Sequence, residues 1–343
     1  MIRFLQKMRI LIVKTTSLGD IIQALPVVTF LLKRFPQAQV DWVVEKHFKE
    51  LLEAHPTIRR VIPVEMRNRK KHPIKAYRAI KNGIAALTTS HYDLLIDLQG
   101  NIKSGIITKF ARAKEKIGTT FSSAPEWPNA LFLTRRYPLN RKEPMTLQYL
   151  SVVRNHFQAE PEPVEMELSF EISSQDENWI TSILRTGKKV MVCPGAQWEN
   201  KKLSLRTWTE LLKREQATGG CYFYFVWGSE KEKQEGAILH SRFSDSGILL
   251  PKMSVPVWQR LISKMDLIYT VDSSALHLAG TTKTPTFSFF GPSSAAIYRP
   301  PGENRRSLQA PCPYGKTFIK RCPALRTCKT GACLKNLNIE NAI

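Results

Sequence analysis

The stretch RILIVKTTSLGDIIQALPVVTFLLKR, residues 9–34, decides the fold. Its first six residues are a short apolar run between charged ends. Thr15, Thr16, Ser17 and Gly19 interrupt that run, and from Ile21 to Arg34 apolar residues recur at helical spacing. The reading is strand, loop, helix. The same alternation continues, with strands predicted at 40–45, 61–64 and 93–97 and helices near 47–55, 73–87 and 102–112. Strands that alternate with helices build a parallel sheet covered on both faces.

The pattern stops between residues 158 and 175, where AEPEPVEMELSFEISSQ is rich in Glu and Pro and free of basic residues. This segment has the composition of an interdomain linker. A second series follows, with strands at 189–193, 222–227, 248–250, 267–271 and 285–290 and helices at 205–218, 230–242, 255–264 and 274–281. The predicted organisation is an α/β domain over 1–160, a linker over 161–175, a second α/β domain over 176–310 and a cysteine-rich tail over 311–343. Two such halves leave a cleft between their carboxyl-edge loops, where ligands of open α/β sheets bind.

The chain has 343 residues, of which 43% are hydrophobic and 23% charged, the profile of a globular protein with a large core. Lys and Arg number 51 against 29 Asp and Glu, so 51 − 29 gives a net charge of +22 and an anionic partner is expected. The longest apolar candidate for a membrane span, residues 21–32, is broken by Gln23 and Pro26. The first fourteen residues lack a signal-peptide core, so retention in the cytoplasm is expected and the six cysteines are read as thiols.

No G-x-G-x-x-G, G-x-x-x-x-G-K-[ST] or H-E-x-x-H motif occurs, which removes the main support for dehydrogenase, P-loop and zinc-protease readings. Three strand-end loops remain. In KTTSLGDIIQALP, residues 14–26, Gly19 is expected to turn the chain before Asp20 at a helix start. A lone Asp there is usually a first-turn acid, but small residues around it leave room for a hydroxyl to approach a general base. In VCPGAQWENKKLSLRTW, residues 192–208, Gly195, Ala196 and Gln197 expose backbone amides, and Lys201 and Lys202 add charge suited to phosphate. Solvated lysines on a surface loop are the bland alternative. In VDSSALHLAGTTKTPTFSFFGPSS, residues 271–294, Asp272 ends a strand, Ser273 and Ser274 can cap the next helix, and His277 follows. A histidine on an apolar helix face is by itself more often a core residue than a catalyst. Three polar loops at adjacent strand ends together describe a nucleoside-diphosphate pocket.

KTTSLGDIIQALP, the PGA…K loop of residues 194–201, WGSEKE at 227–232 and VDSSALHLA with its following FFGPSS occur in the order found in the lipopolysaccharide heptosyltransferases. The chain resembles that family over most of residues 8–310, most of all its type I members. The resemblance implies a GT-B fold, with two Rossmann-like domains facing a central cleft. It also implies transfer of L-glycero-D-manno-heptose from ADP-heptose to the Kdo region of the lipopolysaccharide inner core, with inversion.

In that reading Asp20 is the general base and Lys201 contacts the departing phosphate, aided by the amides of Ala196 and Gln197. Glu232 binds ribose, and Asp272, Ser273, Ser274 and His277 form the donor-binding segment. Ser17, Gly19 and Lys103 fall on the acceptor side, with Arg67, Lys70 and Lys71 of the basic run MRNRKKHPIK. Three departures from the family pattern stand out. Gln197 lies where many members carry threonines, Ser273 and Ser274 replace a common Thr-Gly, and Pro125 replaces an arginine. A type II heptosyltransferase or another core transferase of the family is the nearest alternative.

The resemblance further implies no metal for catalysis, a monomer, and a peripheral place at the cytoplasmic face of the inner membrane beside a Kdo-bearing lipid A acceptor. Cys312, Cys322, Cys328 and Cys333 are candidates for a structural zinc, although their spacing lacks tight C-x2-C pairs. From another class, the isoelectric point near 9.9 is also the footprint of a nucleic-acid-binding protein. No RRM, KH or zinc-finger signature supports that alternative, and no nucleic-acid partner is expected.

Overall fold

The structure is a computed structural model that describes residues 7–66, 85 and 87–339. The chain divides into two compact units at Glu165/Met166. Each contains one six-stranded sheet in which every recorded pairing is parallel.

In the first unit the strands are β1 (Arg9–Val13), β2 (Gln39–Glu45), β3 (Ile58–Val64), β4 (His91–Asp97), β5 (Arg112–Thr119) and β6 (Arg135–Tyr137), in the order β3-β2-β1-β4-β5-β6. β1 is central, and Ile10, Leu11, Ile12 and Val13 are all 0% exposed. At about 1.5–3 kcal/mol for each buried aliphatic side chain, this strand anchors the sheet. The chain leaves β1 into helix Leu18–Ala24 and then helix Pro26–Arg34, where Pro26 occupies the first position, the one place its missing N–H costs nothing.

The second unit has β7 (Lys188–Cys193), β8 (Cys221–Phe225), β9 (Gly247–Leu249), β10 (Leu267–Val271), β11 (Thr286–Phe290) and β12 (Arg305–Gln309), ordered β12-β11-β10-β7-β8-β9. Both orders reverse direction beside the unit's first strand, between β1 and β4 and between β7 and β10. Such switch points part the loops at the carboxyl ends and open a crevice there.

Several elements differ from the sequence reading. The helix expected over 102–112 ends at Phe110, and Arg112 already opens β5. That strand, RAKEKIGT, was hidden by its four charged residues, which leave only Ile117, Gly118 and Thr119 buried. β6, β12 and helix Met145–Phe157 were likewise not anticipated. The helix near 47–55 is a 3₁₀ turn, Lys46–Phe48, followed by the short helix Lys49–Glu53. Most of the expected helix 73–87 lies outside the described residues. Among the described residues, no helix is long and apolar enough to cross a membrane.

Candidate active site

In the first unit, the loop after β1 is tied across the switch point to the end of β4. Gln99 Oε1 accepts from the backbone N–H groups of Thr15 and Thr16, both at 3.0 Å. Ser17 is the N-cap of helix Leu18–Ala24, and Asp20 is its third residue. The Asp20 carboxylate reaches back, its Oδ2 accepting from Ser17 Oγ at 2.8 Å and from Ser17 N–H at 3.2 Å. This arrangement corrects the expectation for Gly19. It lies inside the first helical turn and is not among the positive-φ glycines, because the extended Ser17 makes the turn.

Asp20 remains half-buried, with the Tyr149 hydroxyl 3.5 Å from Oδ1. The Lys14 ammonium lies 5.0 Å from the Tyr149 ring centre, and both side chains are more than nine-tenths buried. Lys103 is exposed and donates to the Met66 carbonyl at 3.3 Å. It therefore stands at the entry to the basic run, whose Arg67, Lys70 and Lys71 lie outside the described residues.

In the second unit, three strand ends meet. After β7, Gly195 and Ala196 lead to a 3₁₀ turn, Glu199–Lys201. After β10, Asp272 precedes Ser273, the N-cap of helix Ser274–Ala279. Lys201 Nζ and Asp272 Oδ2 form a 2.5 Å ion pair whose side chains are 13% and 6% exposed. Ser293 Oγ donates to the same carboxylate oxygen, and His277 Nε2 lies 3.8 Å from the other. Burial alone would push the Asp272 carboxyl up, but Lys201, His277 and Ser293 outweigh it and hold it below the usual carboxylate range. A lysine ammonium has three donors, so the bond to Asp272 leaves two with which Lys201 can meet an anion.

Glu232 caps helix Glu230–Ser241. Its Oε2 accepts from the N–H groups of Gly228 at 2.9 Å and Ser229 at 3.0 Å. Gly195 permits this approach, since a Cβ there would fall 2.6 Å from the Glu232 carboxyl. Glu232 thus joins the loops after β7 and β8, while Gln197 is exposed. Lys202 has a different task. It is buried and pairs with Glu199 at 3.0 Å and Glu235 at 3.1 Å, so it holds the loop.

The structure brings together Ala196, Lys201, Glu232, Asp272, Ser273 and His277 within the second unit and Ser17 with Asp20 within the first, while the recorded contact of Lys103 is with Met66. Sequence reasoning missed the supporting residues Lys14, Tyr149, Gln99 and Ser293. Lys14 and Ser293 carried a signal, since each lies in a strand-end loop already singled out. Tyr149 carried none, being on a helix the reading did not find. The zinc expectation for Cys312, Cys322, Cys328 and Cys333 gains no geometric basis: among the described residues no group of three or more His, Cys, Asp or Glu is arranged to hold a metal ion. All six cysteines are free thiols.

Residues 80–327 match Glycosyltransferase family 9 (heptosyltransferase). The chain is 28% identical over 322 residues to lipopolysaccharide heptosyltransferase 1 of Pseudomonas aeruginosa, covering 92% of this chain and 87% of that protein. Among solved structures it is similar to the E. coli heptosyltransferase WaaC with ADP, at a TM-score of 0.76 and 27% identity, covering 89% of this chain and 94% of the other. The same enzyme with ADP-2-deoxy-2-fluoro heptose gives a TM-score of 0.75 at the same identity and coverage.

Proposed function

The chain belongs to glycosyltransferase family 9, and from that membership we propose that it transfers heptose from ADP-heptose to the Kdo region of the lipopolysaccharide inner core. Similarity to proteins named lipopolysaccharide heptosyltransferase 1, and to two structures of one heptosyltransferase, one with ADP and one with a fluorinated ADP-heptose, supports this donor and a lipopolysaccharide acceptor. The observation that carries the reading is the buried Lys201–Asp272 pair at the switch point of the second sheet.

Asp20 takes the proton of an acceptor hydroxyl. The oxygen then forms a bond to the anomeric carbon as the bond from that carbon to the phosphate oxygen breaks, and ADP leaves with the electron pair. Attack from the face opposite ADP inverts the configuration. Negative charge grows on the departing diphosphate, and the Lys201 ammonium with the amides near Ala196 and Gln197 is arranged to stabilise it. Asp272 holds that ammonium in place and His277 flanks Asp272, while Glu232 offers a carboxylate to ribose hydroxyls.

Ser17, Gly19 and Lys103 border the acceptor, and Arg67, Lys70 and Lys71 are assigned to its anionic groups from sequence alone. A net charge of +22 suits peripheral binding at an anionic membrane surface, where each nearby basic residue adds roughly 1 kcal/mol.

Incubation with ADP-heptose and acceptors bearing Kdo, followed by mass spectrometry and NMR of the anomeric centre, tests the reading. The expected product carries one added heptosyl group with inverted configuration. Extension only of acceptors that already carry heptose would assign the chain to a type II role. No transfer to either acceptor would reject the reading.

A further inference from the structure

Residues 311–339 contribute no strand to the second sheet, yet they contact Asn200, which precedes Lys201, and the backbone around Ser293, which bonds to Asp272. On the lysine side, the buried Asn200 donates from Nδ2 to the carbonyl oxygens of Leu325 at 2.7 Å and Cys328 at 3.5 Å. Gly331, at φ +60°, packs so closely that a Cβ on it would lie 2.8 Å from Asn200 Cα. On the aspartate side, Ser293 is 0% exposed and donates to Asp272.

The backbone around Ser293 is held by the same tail. Ser293 forms an antiparallel bridge with Arg321, Ser294 N–H donates to Lys320 O at 3.1 Å, and Cys322 N–H donates to Pro292 O at 2.8 Å. Leu334 and Ile339, each 1% exposed, anchor the tail in the core cluster that contains Ala196, Trp208 and Phe289.

We propose that residues 311–339 brace the donor-phosphate pair, with Asn200 as the positioning residue for Lys201 and Ser293 as the positioning residue for Asp272. A lysine on a four-carbon stem in a three-residue turn has many rotamers, and electrostatic stabilisation of a leaving group depends on charge that is already in place. Two fixed neighbours, each tied to one tail, supply that order. The brace rests on the reading that Lys201 receives the diphosphate.

A double-mutant cycle on ADP affinity, measured by calorimetry, tests it. Asn200→Ala is expected to weaken ADP binding about tenfold, the loss corresponding to one hydrogen bond's worth of positioning. Lys201→Met is expected to weaken it at least as much. The combined variant should bind ADP as Lys201→Met alone does, because Asn200 acts only through that lysine. Losses that multiply, or an Asn200→Ala variant with unchanged affinity, would overturn the brace. Unchanged affinity in Lys201→Met would instead overturn the phosphate assignment beneath it. Gly331→Ala, on the tail itself, presses on Asn200 without altering a binding residue and serves as the second route should the combined variant not fold. It should weaken ADP binding several-fold while leaving the affinity of a Lys201→Met background unchanged, and a loss of equal size in both backgrounds would count against the brace.

Discussion

Two aspartates, each at the carboxyl edge of its own sheet, are treated in opposite ways. Asp20 is half-buried, held by its own N-cap serine and by a hydroxyl at 3.5 Å. Asp272 is 6% exposed and locked by Lys201 and Ser293, with His277 beside it. A group that must accept a proton needs access to the acceptor and freedom to change charge. A group that must hold a cation in place needs neither, and burial with several partners fixes its charge. The fold supplies both environments by using the same switch-point crevice twice, once with a short helix start and once with a network of buried side chains.

The contrast breaks most visibly at Lys201. In Lys201→Met the Asp272 carboxylate is left buried without its main partner, and the unfolding free energy should fall by about 3–5 kcal/mol. Adding Asp272→Asn should restore part of that stability and none of the ADP affinity, as read by denaturant unfolding and calorimetry. Recovery of ADP binding in the double variant would show that the lysine serves only to neutralise Asp272.

Acid separates two buried groups, because His55 of the first unit and Asp272 of the second respond in different pH ranges. Burial pushes the His55 imidazole of the first unit down from 6.5 to about 4, and its Nδ1 accepts the Thr57 N–H at 3.3 Å. The unfolded chain therefore binds a proton at higher pH than the folded one, and stability is lost as pH falls from about 6.5 to about 4. The full loss is about 3 kcal/mol. Asp272 is shifted the other way. Its depressed folded value makes its contribution complete above the ordinary 3.8 and lost only as pH falls through the lower folded value. Denaturant unfolding at pH 7 and pH 5 should show the loss, and His55→Gln should flatten it. An unchanged slope in that variant would exclude His55 as the cause.

The smallest effect is expected at Glu232, whose carboxylate is shared between a helix cap and the proposed ribose contact. Glu232→Gln keeps an oxygen for the cap but loses the charge, so stability should fall by about 1 kcal/mol or less. The KM for ADP-heptose should rise several-fold with kcat nearly unchanged. A fall in kcat at constant KM would place Glu232 in the chemical step.

Much of this arrangement was legible in residues 9–34 and 189–290, where apolar strands end in small and polar residues before periodic helices. Such segments advertise themselves because both the sheet core and the site require them. β5 and β6 did not, since RAKEKIGT and RRY carry charge on strands far from the sheet centre. The partners of Asp20 and Asp272 were harder still. Tyr149 is 129 residues from Asp20, and Asn200 meets Leu325 across 125 residues, contacts that no local pattern records. The tail illustrates the same limit: its four cysteines drew attention to metal, while its contacts lead to Asn200 and Ser293.

The proposed function assigns proton transfer to the half-buried Asp20 carboxylate and donor binding to the buried Lys201–Asp272 pair. Single-turnover heptosyl transfer by Asp20→Ala, with ADP affinity measured on the same preparation, tests it most directly. The account predicts a rate lower by about 10²–10⁴-fold with ADP binding within twofold of the parent protein. Transfer at near-parental rate would contradict it.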